Sequence, residues 1–128
     1  MNEGDLIGYL IFTPNTKDEK FVGTVFDKFG IVYDNEVICI MRLNEIRSNS
    51  IERFEKIGKA YTTDKQRDWK LIGYIPYNPV RAHDSPKGFL CDINNKIYSS
   101  QNDAEIAAKN LRNEHGNDEI TIAYIYEK

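Results

Sequence analysis

Cysteine is scarce in this chain: only Cys39 and Cys91 occur in 128 residues. Two thiols cannot make a disulfide framework, and they fit a reduced, cytoplasmic chain better. No apolar run exceeds five residues, which excludes a membrane-spanning helix. The opening Met1-Asn2-Glu3-Gly4-Asp5 is acidic, whereas a secretory signal begins basic and continues apolar. Catalytic signatures are also missing. There is no glycine-rich phosphate loop, no Gly-x-Ser-x-Gly elbow, no His-Glu-x-x-His and no Cys-x-x-Cys. The expectation is therefore a protein with no cofactor, no metal and no enzymatic activity.

What is present fits a globular protein. Hydrophobic residues make up 41%, aromatics 12% and charged residues 29%, ordinary values for such a chain. At this length residues 1–128 are expected to form a single domain, burying roughly two-thirds of the unfolded chain's surface without a covalent staple. The net charge of −3 argues against a general nucleic-acid coat protein. That charge is uneven. Residues 1–52 carry five basic and nine acidic side chains, residues 53–81 seven and three, and residues 92–128 four and seven. A basic island thus sits in an acidic protein.

The chain also repeats itself. Leu6-Ile7-Gly8-Tyr9 recurs as Leu71-Ile72-Gly73-Tyr74, an offset of 65. Held without a gap, that offset gives eleven identities in 63 aligned pairs, where this composition gives about four by chance. They include Gly23 with Gly88, Tyr33 with Tyr98, Arg47 with Arg112 and Tyr61 with Tyr126. Two divergent halves, 1–63 and 66–128, are expected from a tandem duplication related by a pseudo-twofold axis.

The second half reads as β-β-β-α-β. Lys70 to Tyr77 is rich in β-branched and aromatic residues and stops at Asn78-Pro79, the pattern of a strand. Gly88 to Ile93 and Lys96 to Tyr98, joined at Asn94-Asn95, are expected to form a hairpin. Ser99-Ser100-Gln101-Asn102-Asp103 is a cluster of helix N-cap residues, within which Asn102 followed by Glu105 has capping-box spacing. Ala104, Ala107, Ala108 and Leu111 then follow the helical period, and Gly116 suits a left-handed helix end. Residues 119–126 predict a central strand. Mapped through the offset, the first half has strands near 6–13, 20–27 and 29–33 and a helix near 36–47. Local propensity offers a rival there, with a strand at 36–41 and a helix at 50–58. In either case the class is α+β, a mainly antiparallel sheet with two helices packed on it.

Candidate chemistry is sparse. Cys91 and His83 would make a nucleophile pair only if the thiol were exposed with a lowered pKa, yet Cys91 lies in a strand-like run. Asp27 and Asp92 recur across the offset but precede turns, where aspartate binds backbone N–H groups. Gly23 and Gly88 suit a bulge or a close backbone approach. The more informative feature is aromatic residues interleaved with cations: Lys59, Tyr61, Lys65, Arg67, Trp69, Lys70, Tyr74, Tyr77 and Arg81. Stacking rings beside cations serve single-stranded nucleic acid or a nucleotide. They serve a protein interface equally well, and residues 61–68 alone would serve as a linker between the halves.

The expectation is a small cytoplasmic binding protein that occupies a macromolecular partner, an inhibitor, immunity-type or accessory protein of bacterial or phage origin. The alternative is a nucleic-acid or nucleotide binding module using residues 59–81. A protein partner is expected ahead of nucleic acid, with no membrane partner, in a monomer or homodimer.

Overall fold

A computed structural model describes residues 6–15, 17–26, 32–48, 55–65, 67–80 and 88–127. The chain is α+β. Strands β1 (Leu6–Pro14) and β2 (Phe21–Val25) precede helix α1 (Glu36–Ser48) and strand β3 (Lys56–Tyr61). Strands β4 (Lys70–Asn78), β5 (Phe89–Leu90) and β6 (Lys96–Tyr98) then lead to helix α2 (Gln101–His115) and strand β7 (Thr121–Glu127).

All strand pairings among the described residues are antiparallel, and the sheet closes on itself. β1 lies between β2 and β3, β3 pairs β7, β7 pairs β4, and β4 meets β6, which returns to β2. The short β5 adds to one end of β4. Closure removes the exposed edges that an open sheet of this size would present. Side chains alternate across each strand, so Leu10, Phe12, Ile75, Tyr77, Ile97 and Ile125 fill the barrel interior. The outward-facing residues are covered by the helices. Cys39, Leu43 and Ile46 of α1 lie on Ile11, and Ala104, Ala108 and Leu111 of α2 lie on Ile120 and Ile122.

The 65-residue offset recurs in the pairing register. Leu6 opposite Tyr61, Gly8 opposite Ala60 and Phe12 opposite Lys56 are answered by Leu71 opposite Tyr126, Gly73 opposite Ile125 and Tyr77 opposite Thr121. The bulge between Leu6 and Gly8 returns between Leu71 and Gly73. The Tyr9–Tyr33 bridge returns as Tyr74–Tyr98. These crossings explain the repeated Leu-Ile-Gly-Tyr. A Cβ at Gly8 would lie 2.6 Å from the Tyr33 carbonyl oxygen, and one at Gly73 would lie 2.6 Å from that of Tyr98. Arg47 donates to the Glu55 carbonyl at 2.9 Å and Arg112 to the Ile120 carbonyl at 2.8 Å, so each arginine ties its helix to the following strand.

Residues 36–48 are helical, and residues 56–58, the end of the helix that the rival reading places at 50–58, belong to strand β3; residues 50–54 lie outside the described residues. Tertiary burial overrides the β propensity of Val37-Ile38-Cys39-Ile40 here. Asn35 Oδ1 accepts from the Val37 and Ile38 N–H groups at 2.7 and 3.4 Å and caps α1. Cys39, Leu43 and Ile46 then form one buried stripe. Two local expectations need correction. The N-cap of α2 is Ser100, whose Oγ accepts from the Asp103 N–H at 3.4 Å, so the helix starts before the Asn102–Glu105 box. β5 and β6 also do not pair with one another. Asp92 closes the turn between them, accepting from the Asn94 and Lys96 N–H groups and the Tyr98 hydroxyl. The backbone of β6 is thereby free to pair with β2. The strand expected at 29–33 falls mostly outside the described residues, as do Asp27 and His83. Gly116 ends α2 in the left-handed region at φ 64°, as its sequence position predicts.

Candidate functional site

Four of the nine basic and aromatic candidates come together beside the loop that joins β3 to β4. Alternation along β3 points Lys59 and Tyr61 outward, away from the Ala60 side chain in the core. The loop then folds back across them. Arg67 places its guanidinium carbon 3.5 Å from the Tyr61 ring centre and 5.0 Å from that of Tyr126. It also donates to the Thr63 carbonyl and hydroxyl at 3.1 and 3.2 Å. The Tyr126 hydroxyl donates to the Lys65 carbonyl at 2.8 Å. Tyr61 and Tyr126 meet edge to face at 5.1 Å. This packing is a clamp on the loop, and it consumes the faces of both rings.

Trp69 stands at the end of the loop, half-buried. The Lys59 ammonium lies 4.4 Å from its ring centre and 5.6 Å from that of Tyr9. Among the described residues no carboxylate lies within ion-pair distance of Lys59. Lys59, Tyr61, Arg67, Asp68 and Trp69 line a cleft of about 410 Å³. Trp69 also helps to line a second cleft of about 290 Å³ with Ile40 and Leu43 of α1 and Ile57 of β3. Glu36, Arg47, Lys56 and Glu127 also line that second cleft, where Lys56 and Glu127 are paired at 2.7 Å.

The remaining candidates lie elsewhere. Tyr77 is buried in the barrel interior, and no face of its ring is open to a ligand. Tyr74 packs under α2 and meets Tyr124 edge to face at 5.6 Å; burial, then the charge of Asp64, pushes its hydroxyl pKa up. Lys65 and Lys70 are exposed. Arg81 lies outside the described residues.

Sequence reasoning missed the outer face of α1. Val37, Ile38, Ile40 and Met41 are 62, 52, 40 and 65% exposed. Successive helix residues are about 100° apart, so these four sweep from the rim of the Trp69 cleft, through Ile40, across the crest of the helix. The positions 65 residues on, on α2, are Asn102, Asp103, Glu105 and Ile106. The signal was available in the run of five apolar residues from Val37 to Met41. Placed on a helix, such a run cannot all face inward.

A third cleft, of about 450 Å³, includes Cys91, Asp92 and His115 in its lining. Burial and, after it, the neighbouring Asp92 push the Cys91 thiol up to about 12, which leaves almost no thiolate at neutral pH. Asp92 spends its oxygens on the turn. Among the described residues no group of three or more His, Cys, Asp or Glu side chains is placed to hold a metal ion. Nor is any described helix long and apolar enough to cross a membrane. No protein-family model matches the chain, and no curated protein or solved structure shows significant similarity to it.

Proposed function

We propose that this chain is a small non-enzymatic binding protein that occupies a protein partner through the outer face of α1 and the adjoining Trp69 cleft. It would act as an inhibitor, immunity-type or accessory factor, in the reducing cytoplasm that two cysteines outside any disulfide suit. The observation that carries this reading is the contrast between the two helices. At corresponding positions of one barrel, α1 offers Val37, Ile38, Ile40 and Met41 to solvent, and α2 offers Asn102, Asp103, Glu105 and Ile106. Three of the four α2 positions are polar, so the fold does not require an apolar residue at Val37, Ile38 or Ile40. Leaving the four apolar groups in water forgoes roughly 1 kcal/mol each relative to burial. A contiguous exposed apolar face of this kind marks an interaction surface.

The nucleic-acid alternative has less support. Stacking needs open ring faces. Those of Tyr61 and Tyr126 carry Arg67, Tyr74 packs under a helix and Tyr77 is internal, which leaves Trp69 alone.

Affinity purification from native lysate with the wild-type chain, Met41→Asp and Ile106→Asp tests the proposal. Both substituted side chains are exposed, so neither variant should lose stability. A stoichiometric protein recovered with wild type and Ile106→Asp but lost with Met41→Asp is the expected result. Identical recovery with all three would refute docking on α1.

A further inference from the structure

We infer that the partner's contact segment is an acidic amphipathic peptide: one apolar side chain enters the cleft between α1 and Trp69, and a neighbouring carboxylate meets Lys59. This inference rests on the protein-binding function proposed for α1. Trp69 is the shared wall. It lines one cleft with the apolar side chains of Ile40, Leu43 and Ile57. It lines the other with Lys59, whose ammonium lies 4.4 Å from its ring centre. A cleft of about 290 Å³ is of the size that a single leucine, phenylalanine or tryptophan side chain fills. A segment that filled it would bring its next residues to the adjoining Lys59 cleft, which Trp69 also lines.

Charge complementarity gives the sign. Residues 56–70 carry five cations (Lys56, Lys59, Lys65, Arg67, Lys70) against Asp64 and Asp68, or +3, in a chain whose total is −3. In the Lys59 cleft, two cations face the single carboxylate of Asp68. Lys59 rests on two aromatic faces with no described carboxylate in reach, so an incoming acid would add to its cation–π contacts without displacing an existing ion pair. The scale of the basic patch also matters. A long polyanion would run from these cations onto the rest of the chain, whose formal charge sums to −6, whereas a short acidic segment stays within the patch.

The test uses a random twelve-residue displayed peptide library selected on the full chain, with enriched peptides then measured against wild type, Lys59→Glu and Met41→Asp. The expected peptides carry Asp or Glu within a few residues of Leu, Phe or Trp. They should bind about tenfold or more weakly to Lys59→Glu, weaken as salt rises and shift the emission of Trp69, the only tryptophan. Peptides that lose binding to Met41→Asp but show no acidic bias and ignore Lys59→Glu would overturn this inference and leave the α1 proposal standing. Peptides indifferent to both substitutions, or no enrichment at all, would overturn both.

Discussion

Arg67 is the most heavily engaged cation of the loop between β3 and β4, and its removal tests whether that loop is clamped as described. Arg67→Ala deletes a guanidinium 3.5 Å from the Tyr61 ring centre and 5.0 Å from that of Tyr126, together with two bonds to Thr63. A partly desolvated cation–π contact contributes about 1–2 kcal/mol and a charged donor's hydrogen bond about 1–2 kcal/mol. The loop regains conformational freedom in the variant, and some of its other contacts persist, such as the Tyr126 hydroxyl on the Lys65 carbonyl. The net expectation is a loss of about 2 kcal/mol, read by urea denaturation at constant m-value. Trp69, two residues on, would report the same event as a red-shifted emission, because Lys59 and the loop together hold it half-buried. Arg67→Lys should recover only part of the loss, since an ammonium cannot cover a ring and bond Thr63 twice in one geometry. A double-mutant cycle between Arg67→Ala and Tyr61→Leu isolates the ring contact and should return about 1 kcal/mol of coupling. Additivity within about 0.3 kcal/mol, or an Arg67→Ala variant as stable as wild type, would refute the clamp and return Arg67 to the pool of residues available to a ligand.

Gly73→Ala should destabilise by about 2–4 kcal/mol in denaturant melts, because its Cβ would meet the Tyr98 carbonyl oxygen at 2.6 Å and the Ile97 and Val22 methyl groups at 2.7 and 2.8 Å; Gly116→Ala, with nothing within 4 Å but φ at 64°, should lose only about 1 kcal/mol. Cys91, with its thiol raised to about 12, should react with iodoacetamide at pH 8 far more slowly in the native protein than in denaturant. Since its unfolded pKa of about 9 lies below the native value, the unfolded state releases the proton first; stability should fall as pH rises from about 9 toward 12, and Cys91→Ala should flatten that fall in pH-dependent melts. Lys56→Gln should change stability by less than about 1 kcal/mol, because its 2.7 Å pair with Glu127 is more than half exposed on the lysine side.

The parts of the fold legible in the sequence are those set by local chemistry. Helix α2 announces itself through the spacing of Ala104, Ala108 and Leu111 and through Gly116, each with a nearby physical cause. The 65-residue offset places α1 correctly although Val37-Ile38-Cys39-Ile40 favours a strand, because burial of Cys39, Leu43 and Ile46 on the barrel decides the outcome. Strand partnership is not local, and there the sequence misleads. Asn94-Asn95 looks like the centre of a hairpin, yet β5 pairs β4 and β6 pairs β2, since closing the barrel satisfies more backbone than a short ribbon would. The basic and aromatic segment is legible as a cluster. Which cation covers which ring is not, because Arg67 reaches Tyr126 only after β7 has been brought beside β3.

Comparison across the offset separates residues that the fold requires from residues that it does not. Gly8 and Gly73 are identical because both are crossed closely by a carbonyl. Arg47 and Arg112 are identical because both tie a helix to its next strand, and Tyr61 and Tyr126 because they face each other across β3 and β7. Such identities mark folding, and Tyr61 and Tyr74 belong among them: Tyr74 corresponds to Tyr9, each packed under its own helix. Divergence carries the complementary information. Val37, Ile38 and Ile40 stand where α2 has Asn102, Asp103 and Glu105, and Lys59 stands where β7 has Tyr124. The Lys59 ammonium lies 5.6 Å from the Tyr9 ring centre, and the Tyr124 ring centre lies 5.6 Å from that of Tyr74. The barrel thus accepts either a cation or an aromatic ring at that place. Lys59 and the apolar crest of α1 are therefore choices that the barrel does not impose. They meet at Trp69, which is where a demand from outside the fold would act.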